Sequence, residues 1–153
     1  MRDKRKKREN GFTLIEIMVV VMIIGMLAAV VGVQLFNRLE KAKRKACVVQ
    51  IRQLQSALAN YRLDNNRFPT TEQGLQALVE KPTSEPVPKN YPPGGYLDSK
   101  SVPLDPWGNP YVYYSPGING EEYTIESYGA DGVDGGEGQN ADIESWHLED
   151  EAQ

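Results

Sequence analysis

The chain has one cysteine, Cys47, and one histidine, His147, and that scarcity removes several functional classes. A lone thiol closes no intramolecular disulfide. The lone histidine has no cysteine or serine elbow to activate, and neither an HExxH pair nor a Walker sequence is present. A paired-carboxylate hydrolase would have to use Asp131 and Asp142. Both lie in a glycine-rich stretch, a poor platform for fixed acid–base geometry. The sequence therefore predicts no enzyme, with His147 as a surface residue. An excess of positive charge is also lacking. The formal net charge is −4, and beyond the first 11 residues the chain carries 11 basic and 19 acidic residues, net −8. A surface of that sign repels phosphate backbones, so nucleic acid is not expected as a partner.

A third absence is local. From Ile17 to Val33 no side chain is polar or charged. Those residues approach the lower limit for crossing a bilayer, and the wider run Phe12 to Phe36 reaches roughly 37 Å as a helix at about 1.5 Å per residue. Before it stands a leader with six basic residues, Arg2, Lys4, Arg5, Lys6, Lys7 and Arg8, against Asp3 and Glu9. Positive charge on that side predicts a cytoplasmic N-terminus, with the remaining chain outside the cytoplasm. A cleaved secretory signal is the competing reading. The apolar run is longer than such a signal needs, and it passes straight into a charged, helix-compatible segment without a clear small-residue cleavage site. Glu16 also lies just inside the run, where an unpaired carboxylate costs up to about 2.5–3.5 kcal/mol at mid-membrane. A charge in that place needs a partner.

The rest has room for one small domain. Cys47, Ile51, Leu54, Leu58 and Tyr61 recur at spacings of four and three, one face of a helix, while Arg44, Lys45, Gln50, Arg52, Gln53 and Gln55 occupy the others. Cys47 reads as a small apolar member of that stripe. Asp64, Asn65, Asn66 and Pro69 end a helix of roughly fifty residues. Thr70 and Gln73 form a capping box before a short helix through Leu75, Leu78 and Val79. Pro82 to Pro103 reads as an ordered Pro/Gly-rich loop. Tyr111–Ser115 and Tyr123–Ser127 read as an antiparallel hairpin, with a third short strand near Trp146. Asp105-Pro106-Trp107-Gly108 is a tight turn whose indole belongs to core packing. The fold class is α+β, without internal repeats or a helix-rich second domain.

Residues 128–142 combine four carboxylates, Asp131, Asp134, Glu137 and Asp142, with five glycines. Hard cations such as Ca²⁺ take six to eight oxygens, and glycines let a loop curl to present carbonyls. The EF-hand pattern is absent, so composition leaves two readings open: a cation site or a solvated acidic loop.

Gly11-Phe12-Thr13-Leu14-Ile15-Glu16 after the basic leader resembles the class III signal of type IV pilins and pseudopilins. That resemblance implies cleavage by a prepilin peptidase between Gly11 and Phe12 and N-methylation of Phe12. It also implies that Glu16 pairs with the terminal amine of a neighbouring subunit during assembly. Arg67-Phe68-Pro69-Thr70-Thr71-Glu72-Gln73-Gly74-Leu75-Gln76-Ala77-Leu78 and Leu104-Asp105-Pro106-Trp107-Gly108-Asn109-Pro110-Tyr111 further resemble the head of the major pseudopilins of type II secretion.

The division implied is a leader at 1–11, a transmembrane or filament-core helix at 12–36 and a periplasmic head at 37–153. The resemblance implies a structural subunit that polymerises from the inner membrane into a periplasmic pseudopilus driving export of folded proteins. Its partners would be copies of itself, the prepilin peptidase, minor pseudopilins and the inner-membrane assembly platform. It also implies a structural Ca²⁺ in the C-terminal loop. Asp131 and Asp142 would give side-chain ligands, and Tyr128 and Val133 backbone oxygens. Ala141 replaces the first residue of an Asp-Asp pair found in the family, so Gln139 or Asn140, a carbonyl or water would complete the set. Asp134 and Glu137 read as solvated bystanders. The alternative is a type IV pilin of a surface adhesion or motility fibre. Its usual C-terminal disulfide is one this chain cannot form. A monomeric bitopic binding protein, a third reading, would keep its leader.

Overall fold

The computed structural model describes residues 11–148; the leader expected at 1–11 therefore lies outside the described residues except for Gly11. The described chain belongs to two compact units, one up to Leu39 and one from Glu40.

A single helix, α1 (Leu14–Asn65, 52 residues), contributes to both. Its beginning is capped reciprocally: the Glu16 amide donates to Thr13 Oγ1 at 3.3 Å and the Thr13 amide to Glu16 Oε2 at 3.5 Å. Every side chain described from Phe12 to Leu39 is exposed, and from Ile17 to Val33 the sequence is wholly apolar. By length and composition α1 is a candidate membrane span.

In the second unit the stripe read from the sequence is the core. Cys47, Ile51, Leu54, Leu58 and Tyr61 are all fully buried. The helix stops at Asn66, whose φ of 55° is left-handed and whose amide still reaches the Arg62 carbonyl at 2.7 Å. Asparagine tolerates that conformation better than most residues.

The capping box at Thr70 and Gln73 forms, with both bonds at 3.2 Å. The short helix expected beyond the box is present, in 3₁₀ form: a turn leads into Leu75–Leu78, which buries Leu75, Ala77 and Leu78. Gly74, at φ 62°, interrupts the run, and a four-residue segment covers the core without needing a full α-turn beyond it.

The Pro/Gly-rich stretch contains no helix or strand and is held by side chains instead. Arg67 donates to the carbonyls of Pro86 and Val87 at 3.0 and 3.1 Å, and Gln73 Nε2 to Ser84 O at 2.9 Å. Tyr96 packs on Tyr61 with ring centroids 5.2 Å apart, and its amide donates to Leu78 O at 2.6 Å. Beside it Gly95 has φ 75°, and a Cβ there would lie 2.7 Å from that same carbonyl.

The sheet has three antiparallel strands, β1 (Val112–Tyr114), β2 (Thr124–Ser127) and β3 (Ile143–Glu144), in that order. The hairpin strands are shorter than read from the sequence, by Tyr111 and Ser115 in β1 and by Tyr123 in β2; beyond them the Gly117 amide donates to Glu121 O at 2.9 Å and closes the loop. Tyr113 faces Ile125, and Glu126 stands between Val112 and Glu144. All four β2 residues are buried. Trp107 is half-buried against the core, its indole donating to Glu40 Oε2 at 2.8 Å.

Candidate metal centre

The loop from Tyr128 to Asp142 leaves the central strand and returns to the edge strand, so the sheet register fixes both of its ends. Two glycines make the turn possible. Gly129 has φ 63° and a Cβ there would lie 3.1 Å from the carbonyls of Asn140 and Ala141. At Gly136, φ 97°, it would lie 2.6 Å from Asn140 O. Asn109 donates to Gly129 O at 3.2 Å, tying the loop to the Asp105 turn. From α1, Arg44 donates to Ala141 O at 2.8 Å and more loosely to Gly138 O at 3.5 Å.

Three carboxylates converge where this loop meets the sheet. Glu126, Asp134 and Asp142 offer oxygens within 4.8 Å of one another. Glu126 is buried, Asp142 half-buried and Asp134 exposed. Oxygens about 2.4 Å from one Ca²⁺ lie no more than about 4.8 Å apart, so the three are close enough to share an ion. Asp142 Oδ2 accepts the Gly135 amide at 2.7 Å, while its Oδ1 is buried without a hydrogen-bond partner. An orphaned buried acceptor beside two more carboxylates fits a hard cation that accepts oxygen donors.

Electrostatics gives the same reading. Glu126 is pushed up from 4.5 to about 7, first by burial and then by the charges of Glu144, Asp142 and Asp134. Burial also raises Asp142; the Gly135 amide opposes this, Asp134 and Asp131 add to it, and Arg44 opposes it. Without a counter-charge this set resists full ionisation.

Asp131 is exposed and accepts the Val133 amide at 3.2 Å; it stands outside the three-carboxylate group, near enough for its charge to act on Asp142. Tyr128 is half-buried and Val133 exposed. Asn140 closes a short 3₁₀ turn, Gly138–Asn140. Asp134, read from the sequence as a bystander, joins the group. Glu126 was missed altogether because it lies in a strand, outside the loop that composition singled out. The signal was available only with the register, which puts Glu126 directly opposite Glu144, an unfavourable like-charge pair. His147 is exposed, with Glu144 3.7 Å from its Nδ1.

A long N-terminal helix with an exposed apolar surface, a head packed on its second half and a loop closed over a short antiparallel sheet define a pilin-like subunit. The comparisons narrow that class. Residues 34–146 match the family described as type II secretion system (T2SS), protein G, and residues 6–32 match the prokaryotic N-terminal methylation motif. The chain is 50% identical to the type II secretion system core protein G of Vibrio cholerae over 149 residues, covering 96% of this chain and 98% of that one. It is 49% identical to the core protein G of Pseudomonas aeruginosa over 142 residues, covering 93% and 98%. The crystal structure of the major pseudopilin from the type 2 secretion system of enterohaemorrhagic Escherichia coli matches with a TM-score of 0.63 at 46% identity. It covers 73% of this chain and 93% of that one. The chain belongs to the type II secretion system protein G family, a family of structural pseudopilins rather than enzymes.

Proposed function

We propose that the chain is inserted in the inner membrane through α1, with its head in the periplasm, and polymerises into the pseudopilus that drives folded proteins outward. The observation that carries this is the start of α1. The Gly11-Phe12 junction precedes a carboxylate at Glu16, and behind it runs a helix surface of exposed apolar side chains. In a filament those surfaces pack on neighbouring helices in place of lipid. A prepilin peptidase cuts between Gly11 and Phe12, Phe12 is N-methylated, and Glu16 pairs with that amine on the next subunit. Minor pseudopilins and the inner-membrane assembly platform are the remaining partners. Intact mass of the membrane-extracted protein tests this. A chain beginning at methylated Phe12 is expected only where prepilin peptidase is active; retention of Met1, or cleavage beyond the apolar run, would remove the reading.

The second part of the proposal is a structural Ca²⁺ in the 128–142 loop. Sequence resemblance and the orphaned Oδ1 both support Asp142 as a ligand. Resemblance adds Asp131 and the backbone oxygens of Tyr128 and Val133, with Asn140 as a further candidate, while geometry adds Glu126 and Asp134. Bound there, the cation supplies the positive charge that lets these carboxylates ionise together, and so orders a loop with little apolar content. Its binding stabilises the folded head over the unfolded chain by mass action. The melting temperature of the purified chain is expected to fall with chelator and recover with calcium, and Asp142→Asn should abolish that difference. An identical melt in chelator and calcium would overturn the metal assignment.

A further inference from the structure

The segment that returns from the loop into β3 is clamped to α1 at both ends. Arg44 donates to Ala141 O at 2.8 Å, the carbonyl immediately before Asp142, and to Gly138 O at 3.5 Å. Gln55 Nε2 donates to Ser145 O at 3.1 Å. Arg44 and Gln55 are about three helical turns apart and so project from the same line of the helix, roughly 16 Å from one another along its axis. Four extended residues from Ala141 to Ser145 span about 14 Å. The spacing of the two donors therefore matches the length of the strand they hold. Between them lie Asp142, with its orphaned Oδ1, and the fully buried Ile143. The helix line is itself fixed, because Cys47, one turn beyond Arg44, is buried in contact with the Tyr111 hydroxyl at 3.6 Å.

We propose that Arg44 is a positioning residue for the metal centre, setting Asp142 against Glu126 and Asp134 by holding the Ala141 carbonyl, and so making α1 the reference on which the site is built. This rests on the calcium reading of the loop. Two effects of Arg44 on a bound cation oppose each other. Its hydrogen bonds preorganise the ligands, and its positive charge, which already acts on Asp142, repels the ion. A partly exposed charge is screened by solvent, whereas groups that orient metal ligands change affinity about 10- to 100-fold when lost. Preorganisation dominates. A direct consequence is that calcium occupancy and the register of α1 against the loop are linked.

The test uses the full mature chain in detergent, freed of metal and titrated with Ca²⁺ by calorimetry, in wild type, Arg44→Met and Arg44→Lys. Arg44→Met keeps much of the aliphatic stem but donates nothing; Arg44→Lys keeps the charge and one reachable donor. Arg44→Met should bind about ten-fold more weakly or worse, Arg44→Lys should recover part of that loss, and the metal-free melting temperature should move less than the calcium-bound one. Arg44→Met affinity equal to or tighter than wild type overturns the positioning role, as does an equal fall of both melting temperatures, which marks a general brace. If Arg44→Met does not fold, wild-type affinity in Arg44→Lys, which lacks the guanidinium Nη1 that donates to both carbonyls, would overturn it. Absence of calcium binding by wild type itself would sink the metal reading and this inference together, an outcome separate from any of these.

Discussion

Asp105 shows how one side chain holds the head together. It is buried, and its Oδ1 accepts the amides of Trp107 and Asn109 at 3.0 and 2.8 Å while its Oδ2 accepts the Ser127 hydroxyl at 2.7 Å. The turn that carries Trp107 is thereby tied to the central strand. Removing the carboxylate leaves three donors short of a partner in or near the core, each costing about 1–3 kcal/mol. Asp105→Ala is expected to lower stability by roughly 3–5 kcal/mol in a denaturant titration, and Asp105→Asn by less, since an amide oxygen still serves the two backbone donors. Equal losses for the two would show that charge, not acceptance, is what the turn needs. Cys47 makes the opposite point. Burial raises its thiol pKa, more than the Tyr111 and Ser127 contacts lower it. The native protein at about pH 8 should therefore resist alkylation by iodoacetamide and react only in denaturant, as mass spectrometry would register. Rapid labelling of the folded chain would contradict the packing of this helix face.

At the scale of elements, the loop and the strands it joins make the head's stability depend on pH in an unusual direction. Glu126 holds its proton to about pH 7, against 4.5 for an unperturbed glutamate. Between those values the unfolded chain has released a proton that the metal-free fold still binds, so stability from this group is greatest below 4.5 and declines as pH rises towards 7. A paired carboxylate with a depressed pKa would do the reverse. Thermal melts in chelator at about pH 5 and about pH 8 are expected to show the lower melting temperature at the higher pH, with a shallower slope in Glu126→Gln. Calcium affinity should rise over the same interval, because the ion takes the place of the proton. A slope unchanged by the substitution would place the titrating group elsewhere. The same elements mark how much was legible beforehand. The stripe from Cys47 to Tyr61 was readable because a helix buries every third or fourth residue, and the capping box at Thr70 and Gln73 because its bonds are local. The 3₁₀ form of Leu75–Leu78 was not, since periodicity over four residues distinguishes no helix type. Glu126 was not, since its meaning depends on Glu144 and Asp142, partners brought close only by strand register.

For the whole molecule, the contrast between the two halves of α1 poses the question of what drives assembly. Its second half buries an apolar stripe in the head, where leaving water contributes about 1.5–3 kcal/mol for each large side chain. The exposed apolar surface of the first half gains little of that on moving from lipid to a bundle of like helices, because lipid is as apolar as leucine. A polar group must therefore supply much of the selectivity, and Glu16 is the acidic residue at hand. In the single chain its carboxylate has a local use, closing the reciprocal cap with Thr13, but both of those bonds are long, at 3.3 and 3.5 Å. Such a cap contributes about 1 kcal/mol, whereas an unpaired carboxylate costs up to about 2.5–3.5 kcal/mol in the membrane interior. On the proposed reading, pairing with a neighbour's terminal amine would outweigh the cap it gives up. Two substitutions separate these roles. Glu16→Gln keeps a side chain that can serve the capping box but removes the charge; Thr13→Ala removes half of the cap and keeps the charge. The yield of filaments sheared from cells overproducing each variant is expected to stay near wild type for Thr13→Ala and to collapse for Glu16→Gln, with both proteins present in the membrane at normal levels. The reverse pattern would mean that Glu16 acts by starting the helix, and that the register between subunits is set by some other contact.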